Sequence, residues 1–246
     1  MLRILYKIYF WLIAVPVFAV LTILTAVTVI IGCSLGGERF FSYYPGALWS
    51  RMACALSLCP VTVKGRENIK KGQSYIFVGN HQSAYDIFVI YGFLGAPIKW
   101  MMKKGLAKIP FVGHACRMAG FIFVDNSSAR SAQKSVTEAE HKLKHGRSLI
   151  IFPEGARTSD GHLGRFKRGA YQIAVDQQLP IIPITLNGPY KVMRIDSWDI
   201  RPHRMEMVIH PPVTPHQKEE DDKEMLQKLA DSTRQTIYSA LWKEFR

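Results

Sequence analysis

The chain is short of acid: 19 Asp and Glu stand against 32 Lys and Arg, for a net charge of +13. It is short of cysteine too. Cys33, Cys54, Cys59 and Cys116 form no CxxC pair and no zinc frame. That excludes a disulfide scaffold and predicts small, reduced side chains in a cytosol-facing domain. Internal repeats, low-complexity tracts, Walker and Rossmann glycine patterns and an HExxH motif are also missing. His141 and His145 stand four apart in a cationic run, but no third ligand is near them in sequence, so no metal site is expected. His114, His203 and His210 show no partner and are assigned no role. Without zinc-finger spacing, an RNA-binding aromatic motif or a basic run that tracks a phosphate backbone, nucleic acid is not an expected partner. The positive charge points instead to anionic lipid headgroups or phosphorylated substrates.

The absence with the largest consequence is that of charge between residues 8 and 37. Residues 8–31 are almost wholly apolar, and as a helix they would run about 36 Å, enough to cross a hydrocarbon core of about 30 Å. The stretch far exceeds the h-region of a signal peptide and has no clear cleavage site, so it is expected to remain as an anchor. Pro16 is expected to kink it, and a re-entrant hairpin with the following segment is the alternative to a straight span. Residues 40–59 carry one charge, Arg51, and a helix is expected to begin at Pro45. Leu48, Trp49, Met52, Leu56 and Cys59 fall on one face of it, as in a helix lying at a membrane interface; a core helix of the soluble part is the competing reading. The division is therefore 1–59, membrane anchor and interfacial helix, and 60–246, soluble domain.

Beyond residue 60, apolar runs alternate with helical stretches. Strands are predicted at 75–79, 98–102, 121–124, 149–152, 181–185 and 205–209. Helices are predicted at 83–94, 111–119, 128–144 (stopped by Gly146), 168–177 and 225–241, with the acidic residues 219–222 at the start of the last. The alternation predicts an α/β domain: a mostly parallel central sheet flanked by helices.

Two strand-to-helix turns carry chemistry. Gly79-Asn80-His81-Gln82-Ser83-Ala84-Tyr85-Asp86 follows one apolar strand. His81 and Asp86 are five apart, too far to stack on a regular helix. With His81 in the turn, Asp86 can fold back to one ring nitrogen and leave the other free to take a hydroxyl proton. Phe152-Pro153-Glu154-Gly155-Ala156-Arg157-Thr158-Ser159 follows another strand. Gly155 allows close backbone approach, and Arg157 offers a planar donor fork suited to phosphate, with Arg165, Lys167 and Arg168 downstream. Either turn alone also reads as an ordinary cap or surface turn.

Together, NHQSAYD and FPEGARTS some 70 residues later resemble the glycerolipid acyltransferases of the lysophosphatidic acid acyltransferase family. The apolar, proline-containing run 179–184 and the stretch 103–110 resemble two further family blocks, and the likeness covers residues 60–215. The resemblance implies catalysis by His81 and Asp86, acceptor binding by Lys103, Glu154, Gly155 and Arg157, and no metal or cofactor. The implied donor is acyl-ACP or acyl-CoA. The implied acceptor is a lysophospholipid, 1-acyl-sn-glycerol 3-phosphate, giving phosphatidic acid at a bilayer. Cytosolic donors place the catalytic domain on the cytoplasmic side, most simply of a bacterial inner membrane. Two departures stand out: Asn126 where the family has Arg, and Ala156 where it often has Thr. Loss of one cation keeps a lyso-aminolipid of the ornithine or glycine type open as acceptor. A non-catalytic lipid-binding protein is the reading from a different class.

Overall fold

A computed structural model describes residues 1–124, 137, 147–215 and 222–246. The predicted helix 128–144 (Thr137 apart) with its stop at Gly146, the His141–His145 pair, Asn126 and the acidic residues 219–221 lie outside the described residues. The strand Ile76–Gly79 (β2) is buried along its whole length, because strands flank it on both sides and helices cover both faces. Its side chains alternate between the two layers: Phe77 joins one apolar cluster, Ile76 and Val78 the other.

The other strands are Val61–Lys64 (β1), Ile98–Lys103 (β3), Ile122–Val124 (β4), Ser148–Ile151 (β5), Ile181–Asn187 (β6) and Met205–Ile209 (β7). They order β1-β7-β6-β2-β5-β3-β4, with every pairing parallel except β6 with β7. This is the mostly parallel sheet expected. β1 was not among the predicted strands. It is a four-residue edge whose Thr62 and Lys64 face solvent, so it has no apolar run to betray it.

One face of the sheet is covered by Tyr85–Phe93 (α5) and the N-terminal helices, the other by Gly169–Asp176 (α7) and Asp222–Ala240 (α9). The remaining α-helices among the described residues are Leu2–Tyr9 (α1), Val15–Ser34 (α2), Glu38–Phe41 (α3), Tyr44–Leu56 (α4), Val112–Met118 (α6) and Pro189–Val192 (α8).

The N-terminal helix is continuous over Leu2–Ser34, long and apolar enough to cross a membrane. Pro16 does not break it. The five residues Phe10–Ala14 just before it form a π-helical turn. The proline ring clashes with the carbonyl four residues back, and widening the helix there relieves the clash. After the Gly36-Gly37 turn, α4 returns antiparallel along α2. Trp49 donates its indole N–H to Thr22, the Tyr9 hydroxyl reaches the Leu56 carbonyl, and Phe18 stacks on Trp49.

Both helices share the core of the sheet: Ala26, Val29, Ala47 and Cys54 belong to the same cluster as Phe77, Ile150 and Ile184. The face of α4 that enters this core is Gly46, Ala47, Ser50, Ala53 and Cys54. Leu48 and Met52 point outward, 61% and 37% exposed. The α4 residues singled out from the sequence therefore do not form one uniform face. The small residues win the buried side because they let α4 approach α5 closely; a Cβ on Gly46 would lie 2.3 Å from the Tyr91 ring. All four cysteines are free.

Candidate active site

The parallel strands deliver their C-terminal ends to one edge of the sheet, and the candidate residues sit in the turns there. β2 ends at Gly79. The next residue, Asn80, is buried and clamps this turn to the neighbouring strand: its amide donates to the Leu186 carbonyl at 2.9 Å and its oxygen accepts from the Leu186 N–H at 2.7 Å. His81 follows in the turn, and helix α5 begins four residues later, so Asp86 lies in the first helical turn and folds back.

Its Oδ2 accepts from His81 Nδ1 at 2.8 Å and from the backbone N–H groups of Gln82 and Ser83 at 2.6 and 2.8 Å. Asp86 is fully buried, and its Oδ1 has no partner among the described residues. Three donors converging on one carboxylate oxygen require the hydrogen of the neutral imidazole to be on Nδ1, which leaves the Nε2 lone pair free. Phe152, the last residue before the second motif turn, lies flat beneath the imidazole, with centroids 4.0 Å apart and planes 5° from parallel. The ring is thus fixed by a carboxylate at one edge and an aromatic face below.

Glu154 braces the same turn. One carboxylate oxygen accepts from the His81 N–H at 2.7 Å and the other from the Gly164 N–H at 2.8 Å. The Thr158 N–H reaches the His81 carbonyl at 3.0 Å, so both backbone groups of His81 are held by the motif that follows β5. Burial pushes the Glu154 carboxyl up, against the pull of its two backbone donors and of His81.

Gly155 occupies the left-handed region at φ +80°, the backbone conformation that favours glycine, and turns the chain back beneath Lys167. Arg157 is half-buried in this turn, and Lys103 stands exposed at the end of β3. Since β5 and β3 are the next two strands on that side of β2, these two cations flank His81 on one side.

Of the site residues read from the sequence, the structure therefore joins His81, Asp86 and Glu154 through direct contacts, with Gly155 and Arg157 in the same turn and Lys103 further along the edge. Sequence reasoning missed Asn80 and Phe152, although both lie inside the motifs. It also left His210 without a role, whereas its Nε2 lies 2.8 Å from the Thr185 hydroxyl. Among the described residues no cluster of His, Cys, Asp and Glu could hold a metal ion.

An α/β sheet with a carboxylate-backed imidazole, open on one nitrogen at the strand ends, defines a protein equipped to take a proton from a hydroxyl. Comparison narrows the class. The chain belongs to the Acyltransferase family, whose model matches residues 60–187. It is 32% identical over 200 residues to the chloroplastic 1-acyl-sn-glycerol-3-phosphate acyltransferase LPAT1 of Arabidopsis thaliana, covering 79% of this chain and 55% of that protein. Over 126 residues it is 36% identical to a 1-acyl-sn-glycerol-3-phosphate acyltransferase of Borreliella burgdorferi, covering 51% and 50%. The chain thus spans about half the length of these curated relatives. The fold matches the crystal structure of PlsC, the 1-acyl-sn-glycerophosphate (LPA) acyltransferase of Thermotoga maritima. The TM-score is 0.79, the identity 29%, and 98% of each chain is covered.

Proposed function

We propose that the protein transfers a fatty acyl group from a thioester donor to the free hydroxyl of 1-acyl-sn-glycerol 3-phosphate. The observation that carries this reading is the His81–Asp86 pair, held at 2.8 Å with Nε2 unengaged among the described residues. Nε2 removes the hydroxyl proton as the oxygen attacks the thioester carbonyl. The new C–O bond forms, the tetrahedral intermediate collapses, the C–S bond breaks, and the imidazolium returns its proton to the departing thiolate. Asp86 stabilises the imidazolium and holds the ring; this proton transfer is worth about 10²- to 10⁴-fold. No acyl-enzyme is needed, so the remaining acceleration comes from holding both substrates together. Arg157 and Lys103 are the groups suited to the acceptor's phosphate. The donor is acyl-ACP or acyl-CoA.

The protein would work from within one leaflet. Leu12, Val20, Leu24, Ile31 and Leu48 are each more than half exposed along the outer side of the two N-terminal helices, while the opposite side packs on the catalytic domain. A helix bound to its domain along most of its length suits embedding parallel to the membrane plane better than a span with the domain hanging from one end. Free cysteines and cytosolic donors favour the cytoplasmic side of an inner membrane.

The test incubates detergent-solubilised protein with palmitoyl thioesters and a panel of lysolipids, reading products by mass spectrometry beside His81→Ala. Phosphatidic acid formed by the wild type and lost in the variant is the expected result. Product from phosphate-free lysolipids alone would replace the acceptor. Lysolipid binding without any His81-dependent product would make this a binding protein.

A further inference from the structure

The edge of the sheet that carries His81 continues past it in the direction opposite to Arg157 and Lys103. On that side the next strands are β6 and β7. The segment after β6, the segment before β7 and the end of the chain meet there around a cavity of about 630 Å³. Lys191, Arg204, Lys243 and Arg246 line it against a single acidic side chain, Glu244.

Trp242 forms one wall. Lys191 Nζ and the Arg204 guanidinium lie over its ring, 5.7 and 5.3 Å from the centroid. Its backbone N–H is fixed by the Asn187 side chain at 2.9 Å, and its indole is hydrogen-bonded to Glu206. Part of the positive charge is already answered. Lys191 pairs with Glu244 at 2.6 Å, and Arg246 donates to the Leu241 and Ser239 carbonyls. Arg204 and Lys243 have no carboxylate partner among the described residues. Four cationic side chains around one acidic side chain in a concave wall of this size suit a multiply charged anion better than a solvated patch.

The cavity lies on the same edge of the sheet as the candidate base. With strands about 4.8 Å apart, β6 and β7 are displaced about 5–10 Å sideways from β2, and β6 runs past the Gly79–Ile184 pairing to Asn187 before the chain enters the cavity wall. The contacts are continuous: Gln82, next to His81, donates to the Gly161 carbonyl at 2.6 Å, and the Phe245 ring lies between Gly161 and Tyr190. Tyr190 in turn donates its hydroxyl to the Ser159 carbonyl at 2.9 Å. The base therefore stands between two groups of cations, and the proposed reaction brings together two substrates that each carry phosphate.

Resting on that reading, we infer that the cavity bounded by Lys191, Arg204, Trp242 and Lys243 binds the phosphate ester at the far end of the donor's pantetheine arm, leaving Arg157 and Lys103 to the acceptor. The phosphate ester is common to coenzyme A and to the acyl carrier protein. Their shared arm is a flexible chain that can lay its thioester beside His81 while the phosphate stays in the cavity.

The test compares the full-length wild type with the Arg204→Gln/Lys243→Gln double variant, using lysophosphatidate and three palmitoyl donors: the coenzyme A thioester, the acyl carrier protein thioester and the N-acetylcysteamine thioester, which lacks phosphate. Loss of charge-assisted contacts is expected to raise KM for the phosphate-bearing donor about tenfold or more. Turnover of the N-acetylcysteamine thioester stays within about twofold, which also shows that the variant is folded. A loss confined to coenzyme A identifies the nucleotide-bearing donor as the source of the phosphate. A loss confined to the carrier protein identifies its prosthetic arm, and a loss on both assigns the shared ester. Unchanged KM for both, or an equal loss on all three donors, overturns the site while leaving the acyltransferase reading intact. If the wild type forms no His81-dependent product from any donor, the acyltransferase reading falls and the donor site with it.

Discussion

Asp86 does two jobs with one oxygen atom. Its Oδ2 receives the His81 imidazole and also the N–H groups of Gln82 and Ser83, so the carboxylate both orients the imidazole and closes the turn that carries it. Two substitutions separate the jobs. Asp86→Asn keeps an oxygen for the backbone donors but removes the charge that stabilises the imidazolium. We expect kcat to fall about 10²- to 10⁴-fold with little change in Tm. Asp86→Ala strips the partners from two buried backbone N–H groups as well, at about 1–3 kcal/mol each, and is expected to lower Tm clearly. Steady-state kinetics beside thermal melts checks both, and equal melting of the two variants would count against the structural half of the argument. The His-Asp spacing was legible in the sequence because a five-residue separation admits few geometries once a turn precedes the helix. Phe152 and Asn80 were not. Stacking on His81 and clamping Leu186 both depend on which strands lie side by side, and one turn's sequence does not hold that information.

At the scale of elements, the turn between α2 and α3 is tied to the sheet by a small charged cluster. Glu38 reaches Arg147 at 2.7 Å and Lys99 at 3.5 Å, and the Lys99 ammonium also donates to the Ala119 carbonyl. Burial, helped by the Arg147 charge and opposed by Glu38, pulls Lys99 down to about 8. The unfolded chain keeps that proton to an ordinary lysine value of about 10.4, so between the two values it binds more protons than the folded protein. Stability contributed by this group therefore rises with pH from about 8 to about 10.4 and is at its lowest below that window. We expect the difference in Tm between wild type and Lys99→Met to change by a few degrees across it, on the scale of about 2–4 °C per kcal/mol. A difference independent of pH would show that Lys99 does not titrate there.

The sequence reading of elements succeeded where apolar runs are long, as in β6, and failed where small residues decide. Gly46, Ala47 and Ser50 carry little hydrophobic signal, yet they form the buried side of α4 because close approach of two helices rewards small volume. The residues 128–144, read as a helix, lie outside the described part of the chain apart from Thr137.

For the whole molecule, the proposed in-plane placement puts the exposed apolar side of α1, α2 and α4 against the bilayer. Trp11, 51% exposed, and Trp198, 77% exposed, line one shallow cavity beside Asp199. Asp199 holds Arg3 at 2.6 Å, Lys7 at 3.1 Å and Arg201 at 2.9 Å. Those cations keep the Asp199 carboxyl below the usual carboxylate range, led by Lys7 and Arg201. With the helix lying in the plane, both tryptophans sit at headgroup depth. In vesicles with bromines at graded acyl positions, quenching of both is expected to be strongest for bromines nearest the headgroups. The two are compared in Trp11→Phe and Trp198→Phe variants. Quenching of Trp11 centred on the bilayer midplane would instead support a span.

Ala26, Val29 and Cys54 occupy the same apolar interior as Phe77 and Ile150. The two apolar helices are therefore an outer wall of the domain rather than a tether. A chain begun at Pro60 would not be a water-soluble fragment. It would present a naked greasy floor where α2 and α4 had rested, and would need a detergent to stand in for the missing wall. The N-terminal helices and the sheet are consequently expected to express and purify as one object, and swapping the N-terminal segment between relatives would mean re-cutting the inside of the protein.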